Sequence, residues 1–146
     1  MNEESTAGQG WVGGVCIKDN QVLLIHRINN EVDFNKEYFV FPGKKLQGDE
    51  TLELALTKAF KDFSITIELR DLLYSKGDDV DDLEYYYICN YIFGEPALTP
   101  ESDEAREMEK GMQVYTPIWV KVSEIEDLII YPESVKIAIL ENLVKQ

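Results

Sequence analysis

The chain is short of basic residues: 14 lysines and arginines stand against 28 aspartates and glutamates, a formal net charge of −14 over 146 residues. Such a surface repels nucleic-acid backbones and bare polyphosphates unless a metal or a local basic patch intervenes, so nucleic acid is not an expected partner. It also lacks any apolar run of membrane-spanning length, and its first ten residues carry no signal-peptide pattern. No membrane association is expected, and the expected location is the cytoplasm. Only two cysteines are present, Cys16 and Cys89, both in apolar strand-like segments and without metal-ligand spacing. They read as buried, reduced thiols. The single histidine, His26, alternates onto the opposite strand face from Arg27 and reads as structural. Internal repeats and a second domain are absent from the pattern.

What is present suits one globular domain: 45% apolar and 11% aromatic residues, enough for a proper core at this length. Residues 1–10 are polar and small and read as a flexible tail, leaving 11–146 as a single domain. Trp11–Lys18 and Gln21–Arg27 form a predicted hairpin around the turn pair Asp19-Asn20. A polar loop follows, then a short strand over 37–41. Strands are predicted over 65–75 and 84–93, the second placing Tyr85, Tyr87, Cys89, Tyr91 and Phe93 on one face. The acidic run Asp78–Asp82 lacks the glycine and distal glutamate of a calcium loop and reads as a hairpin tip. Residues 94–111 are acidic and polar, suiting a loop or a short helix. Pro117 marks the strand over 115–122 as an edge or irregular strand. Ser123-Glu124-Ile125-Glu126 has capping-box spacing, and Pro132 opens a terminal helix carrying Val135, Ile139 and Leu143 on one stripe.

The most informative stretch is Pro42–Ser64. A strand ending Phe39-Val40-Phe41 meets Pro42-Gly43, and Asp49-Glu50-Thr51 opens a helix whose Leu52, Ala55, Leu56, Ala59, Phe60 and Phe63 make one apolar stripe. Loop and helix resemble the signature of the Nudix hydrolase family: Gly, five residues, Glu, seven residues, then Arg-Glu-apolar-any-Glu-Glu-any-Gly-apolar. Glu50 matches the first Glu outright. Lys58 takes the Arg position and Asp62 the first residue of the Glu pair, both conservatively. Lys44, Ala59 and Phe63 stand where Gly, Glu and Glu are expected, and the last Gly is missing. The order of elements around this helix extends the resemblance to the C-terminal helix. It implies an α/β/α sandwich, a mixed central sheet with one motif helix and a C-terminal helix.

The resemblance also implies a magnesium- or manganese-dependent hydrolase that cleaves a nucleoside diphosphate linked to another moiety. Glu50 and Asp62 would be the remaining metal ligands and catalytic carboxylates, with Lys44 beside the metal position. Magnesium wants oxygen ligands in an octahedron, and two of the expected carboxylates are gone, so metal would be weakly held and activity reduced. A base drawn from the acidic stretch before Tyr115 would be one of Glu101, Glu104, Glu107 and Glu109, with Glu104 taken as the candidate. Arg27 stands where the family often faces phosphates, and a guanidinium can grip phosphate bidentately. Lys44 and Lys45 could replace part of the missing cation's charge; the competing reading makes them solvated loop residues. Tyr38 and Phe39 could stack on a base, or pack in the core.

Three functions follow: a hydrolase of reduced efficiency, a catalytically inactive domain that binds a nucleotide-like phosphate ligand, or an interaction module such as a homodimer. Fold alone does not choose among them.

Overall fold

Alternation of apolar residues along the first strands sorts their side chains onto two faces of one sheet. The computed structural model describes residues 10–29, 36–77, 83–109 and 113–144. Strands β1 (Trp11–Lys18) and β2 (Gln21–Asn29) form the expected antiparallel hairpin, closed by Asp19 and Asn20, both at positive φ (52° and 64°). Asn and Asp tolerate that region better than other side chains do, and two such residues give the turn that matches strand twist. The sheet continues with β3 (Lys36–Val40), β4 (Gly43–Lys45), β5 (Thr66–Lys76), β6 (Glu84–Phe93), β7 (Gln113–Lys121) and β8 (Ile130–Tyr131). Its main path is β5-β6-β1-β2-β3-β8, with β4 paired to β1 and β7 to β2. β1 runs parallel to β6 and β3 parallel to β8, while the other pairs are antiparallel, making the sheet mixed.

Helix α1 (Leu52–Lys61) covers one face, burying Ala55, Leu56, Ala59 and Phe60 against Val12, Cys16, Leu23 and Cys89. The other face packs Val15, Val22, Leu24 and Tyr86 against Ile125, Val135 and Ile139 of the C-terminal segment. That segment comprises a 3-10 turn (Val122–Asp127), helix α3 (Glu133–Ile139) and a π-type continuation (Leu140–Val144); a short helix α2 (Asp103–Glu109) precedes β7. This is the α/β/α layering with a motif helix and a C-terminal helix that the sequence predicts. Gly13 and Gly14 thin β1 from both sides. A Cβ on Gly13 would lie 2.4 Å from the Tyr86 ring, and one on Gly14 would lie 2.5 Å from the Phe60 ring.

Pro117 sits in β7, which among the described residues pairs with β2 alone, a position that tolerates its missing N–H. Ser123 departs from expectation: the helical turn starts at Val122, its N-cap is Lys121, and no side chain caps it. Both cysteines are buried, and they face each other in register across β1 and β6. Burial pushes the Cys16 thiol up to about 12 and raises Cys89 as well, so both stay protonated. Of the predicted tail over 1–10, residues 1–9 lie outside the described residues, as do the acidic run Asp78–Asp82 and the loop residues 30–35; Gly10 is buried, its carbonyl accepting the Leu46 N–H at 2.9 Å. None of the described helices is long and apolar enough to cross a membrane.

Candidate functional site

The loop between β4 and α1 is held by short-range hydrogen bonds. Thr51 caps α1, its Oγ1 accepting the Leu54 N–H at 3.0 Å, which satisfies one of the orphan donors of the first turn. Glu50, just before the cap, points back into the loop. Its Oε2 accepts from Lys58 Nζ at 3.0 Å and Lys44 Nζ at 3.2 Å, and its Oε1 accepts the Gln47 N–H at 3.2 Å. The Glu50 side chain is only 11% exposed, against 27% for Lys44 and 54% for Lys58. Burial by itself would raise its pKa; hydrogen bonds from Lys58, Lys44 and Gln47, with the Lys44 charge, outweigh burial and hold it below the usual carboxylate range.

The sign of the pH effect follows. The folded value lies below the unfolded value of about 4.3, so the stabilisation is complete above that pH. It is lost as pH falls through the folded value, because the unfolded chain takes up the proton first. Glu50→Gln is therefore expected to flatten the acid limb of stability below about pH 4.3. Denaturant titrations of both proteins between neutral and acid pH check this.

This clamp bears on metal. Magnesium or manganese would need several oxygen ligands. Of the motif positions, Ala59 and Phe63 offer none and are buried in the core, at 2% and 3% exposure. Glu50 is committed to two ammonium groups. Asp62 closes the C-terminus of α1, where its carbonyl accepts the Thr99 N–H at 2.9 Å. Among the described residues no three of His, Cys, Asp and Glu gather into a metal-holding group. The donor set does not fit a divalent ion.

Phe63 also borders a cavity of about 490 Å³. Its wall includes Arg27, Glu104, Tyr115, Tyr86, Trp11 and Tyr131, with Phe63 itself contributing a ring. Strand register builds the centre: Arg27 of β2 faces Tyr38 of β3 on one side and Tyr115 of β7 on the other. The guanidinium carbon lies 4.9 Å from the Tyr115 ring centroid and 5.5 Å from that of Tyr38, within cation–π range. Arg27 Nη2 also donates to the Tyr115 hydroxyl at 3.3 Å. Tyr131 meets Tyr38 edge-on, with centroids 5.4 Å apart.

Glu104 reaches the cavity from α2. Ser102 caps that helix, its Oγ accepting the Ala105 N–H at 3.0 Å and donating to the Thr99 carbonyl at 2.8 Å. The segment before it is tied to the end of α1 by Ala97 N–H on the Phe63 carbonyl at 3.0 Å. Burial raises the Tyr115 pKa, the Arg27 charge opposes this, and Glu107 and Glu104 add to it. The phenol stays protonated near neutral pH.

The candidates thus fall into separate places. Arg27 and Glu104 share the cavity wall. Tyr38 flanks Arg27, while Phe39 stacks on His26 at 4.9 Å on the opposite strand face. The same His26 ring bonds Glu37. Lys44 belongs to the Glu50 clamp, and Lys45 is exposed opposite Trp11 in the β4–β1 pairing. Sequence reasoning passed over Tyr86, Tyr115, Trp11 and Tyr131. For Tyr115 a signal existed in the two-residue parity of its strand, but nothing local says which residue it faces.

No family model and no curated protein matches the sequence. Solved structures match its fold. A Nudix hydrolase from Nitrosomonas europaea superposes with a TM-score of 0.65 at 14% identity, over 94% of this chain and 89% of that one. An ADP-ribose pyrophosphatase from Streptococcus suis gives 0.62 at 13% identity, over 92% and 90%. A MutT Nudix hydrolase from Burkholderia pseudomallei gives 0.60 at 18% identity, over 92% and 97%. The chain has the Nudix fold.

Proposed function

We infer that this Nudix-fold chain is a ligand-binding domain that takes a nucleotide-like small molecule in the cavity beside Arg27, with pyrophosphohydrolase turnover reduced to background. One observation carries the reading: Glu50, which alone matches the motif's glutamates outright, spends its carboxylate on Lys44 and Lys58. The cavity supports the binding half, since its volume of about 490 Å³ lies within the range of small-molecule sites, roughly 300–1,000 Å³.

The second reading keeps a weak magnesium-dependent hydrolase, with Glu50 and Asp62 toward the metal and Glu104 as base. The position of Glu104 in the cavity wall favours it. Turnover on a panel of nucleoside diphosphate derivatives, with magnesium and then manganese, separates the two. Wild-type protein is expected to hydrolyse no faster than Glu50→Gln prepared identically. Metal-dependent turnover that vanishes in Glu50→Gln would establish the hydrolase instead. A homodimer or other interaction module is the third reading; a melting temperature raised by a nucleotide-like ligand is the result that would overturn its empty cleft.

A further inference from the structure

Phosphate-gripping sites concentrate positive charge; the described wall of this cavity does not. Among its fourteen described wall residues two are basic, Arg27 and Lys76, and two are acidic, Glu84 and Glu104. Lys76 Nζ lies 3.9 Å from Glu84 Oε2, so one cation is matched within the wall. The other, Arg27, lies between two tyrosine rings and donates to the Tyr115 hydroxyl, with Glu104 in the same wall. Over the described wall residues the formal charges cancel, inside a chain of net charge −14. A diphosphate entering here would meet no excess positive potential. Lys44 of β4 is held on Glu50.

What the wall does offer is aromatic surface: six of the fourteen residues are Trp, Tyr or Phe. Tyr131 is 44% exposed, lines the cavity and is braced edge-on by Tyr38, leaving it placed as a stacking platform. The Glu104 carboxylate adds an acceptor, which suits the N–H edge of a heterocycle.

We propose that the cavity selects an uncharged nucleoside, stacked on Tyr131, and gains nothing from a diphosphate. This deepens the ligand-binding reading above and rests on it. Calorimetric titration of the full chain with adenosine, guanosine, cytidine and uridine, each beside its 5′-diphosphate, tests it at about 50 mM and about 500 mM salt. At least one nucleoside is expected to bind at least as tightly as its diphosphate, with affinity changing less than about twofold across that salt range.

Tyr131→Ala is expected to weaken nucleoside binding by about tenfold, and Tyr131→Phe, which keeps the ring, to retain wild-type affinity. Diphosphates that all bind tighter than their nucleosides, or a nucleoside affinity that falls steeply with salt, overturn the selectivity but leave a nucleotide-binding domain standing. Unchanged nucleoside binding by Tyr131→Ala overturns the stacking platform. Silence from every nucleoside and every diphosphate overturns both this inference and the ligand-binding reading.

Discussion

Phe60→Ala is expected to lower the unfolding free energy by about 3–5 kcal/mol. Phe60 is fully buried on α1 and belongs to the cluster that joins the helix to the sheet. The cost of a large-to-small change depends on whether the surroundings can close the hole. Here its ring lies over Gly14, which has no side chain to move inward, and Cys89 of the same cluster is fixed in a paired strand. The hole should persist, which puts the loss near the upper part of the range. Urea or guanidinium titration checks this as a lower midpoint at unchanged slope. A loss below about 1 kcal/mol would mean that α1 is not anchored through this ring.

Gly94→Ala is expected to cost about 2–4 kcal/mol, for a different reason. Gly94 has φ +119°, and a Cβ there would come 2.2 Å from the Ser64 carbonyl oxygen and 3.2 Å from Ile65 Cα. Both neighbours are backbone, so no rotamer change relieves the clash. The residue's own carbonyl accepts the Tyr91 hydroxyl at 2.8 Å, which further limits its freedom to shift. Gly48, also at positive φ (56°) but with nothing within 4 Å of the added carbon, is the matched control. Thermal unfolding of both variants separates clash from conformational strain, and equal losses would remove the clash argument.

The hairpin of β1 and β2, the stripe of α1 and the long strands β5 and β6 were legible in the sequence because their signals are local. Asp19-Asn20 encodes a turn, and three-four spacing encodes a buried helical face. β4 and β8 were not legible: three residues and two residues are too short for a period, and each exists through a distant partner, β1 or β3. The site divides in the same way. That Ala59 and Phe63 bring no carboxylate to the helix is read from the sequence alone. That Glu50 would be taken by Lys44 and Lys58, six and eight residues away, depends on how the loop turns back over α1. The cavity was least legible, because it gathers rings from strands far apart in the chain, each an ordinary core residue by pattern.

One strand gives the molecule a shared partition. Gly13 accepts the Tyr86 ring on the cavity side, and Gly14, the next residue, accepts the Phe60 ring on the helix side. Between those two rings there is only a single thickness of peptide backbone. Whatever presses on Tyr86 from within the cavity bears directly on the wall against which the motif helix leans. Changes made on opposite sides of that partition will not add as independent sites do, and the chamber and the helix behave mechanically as adjoining rooms.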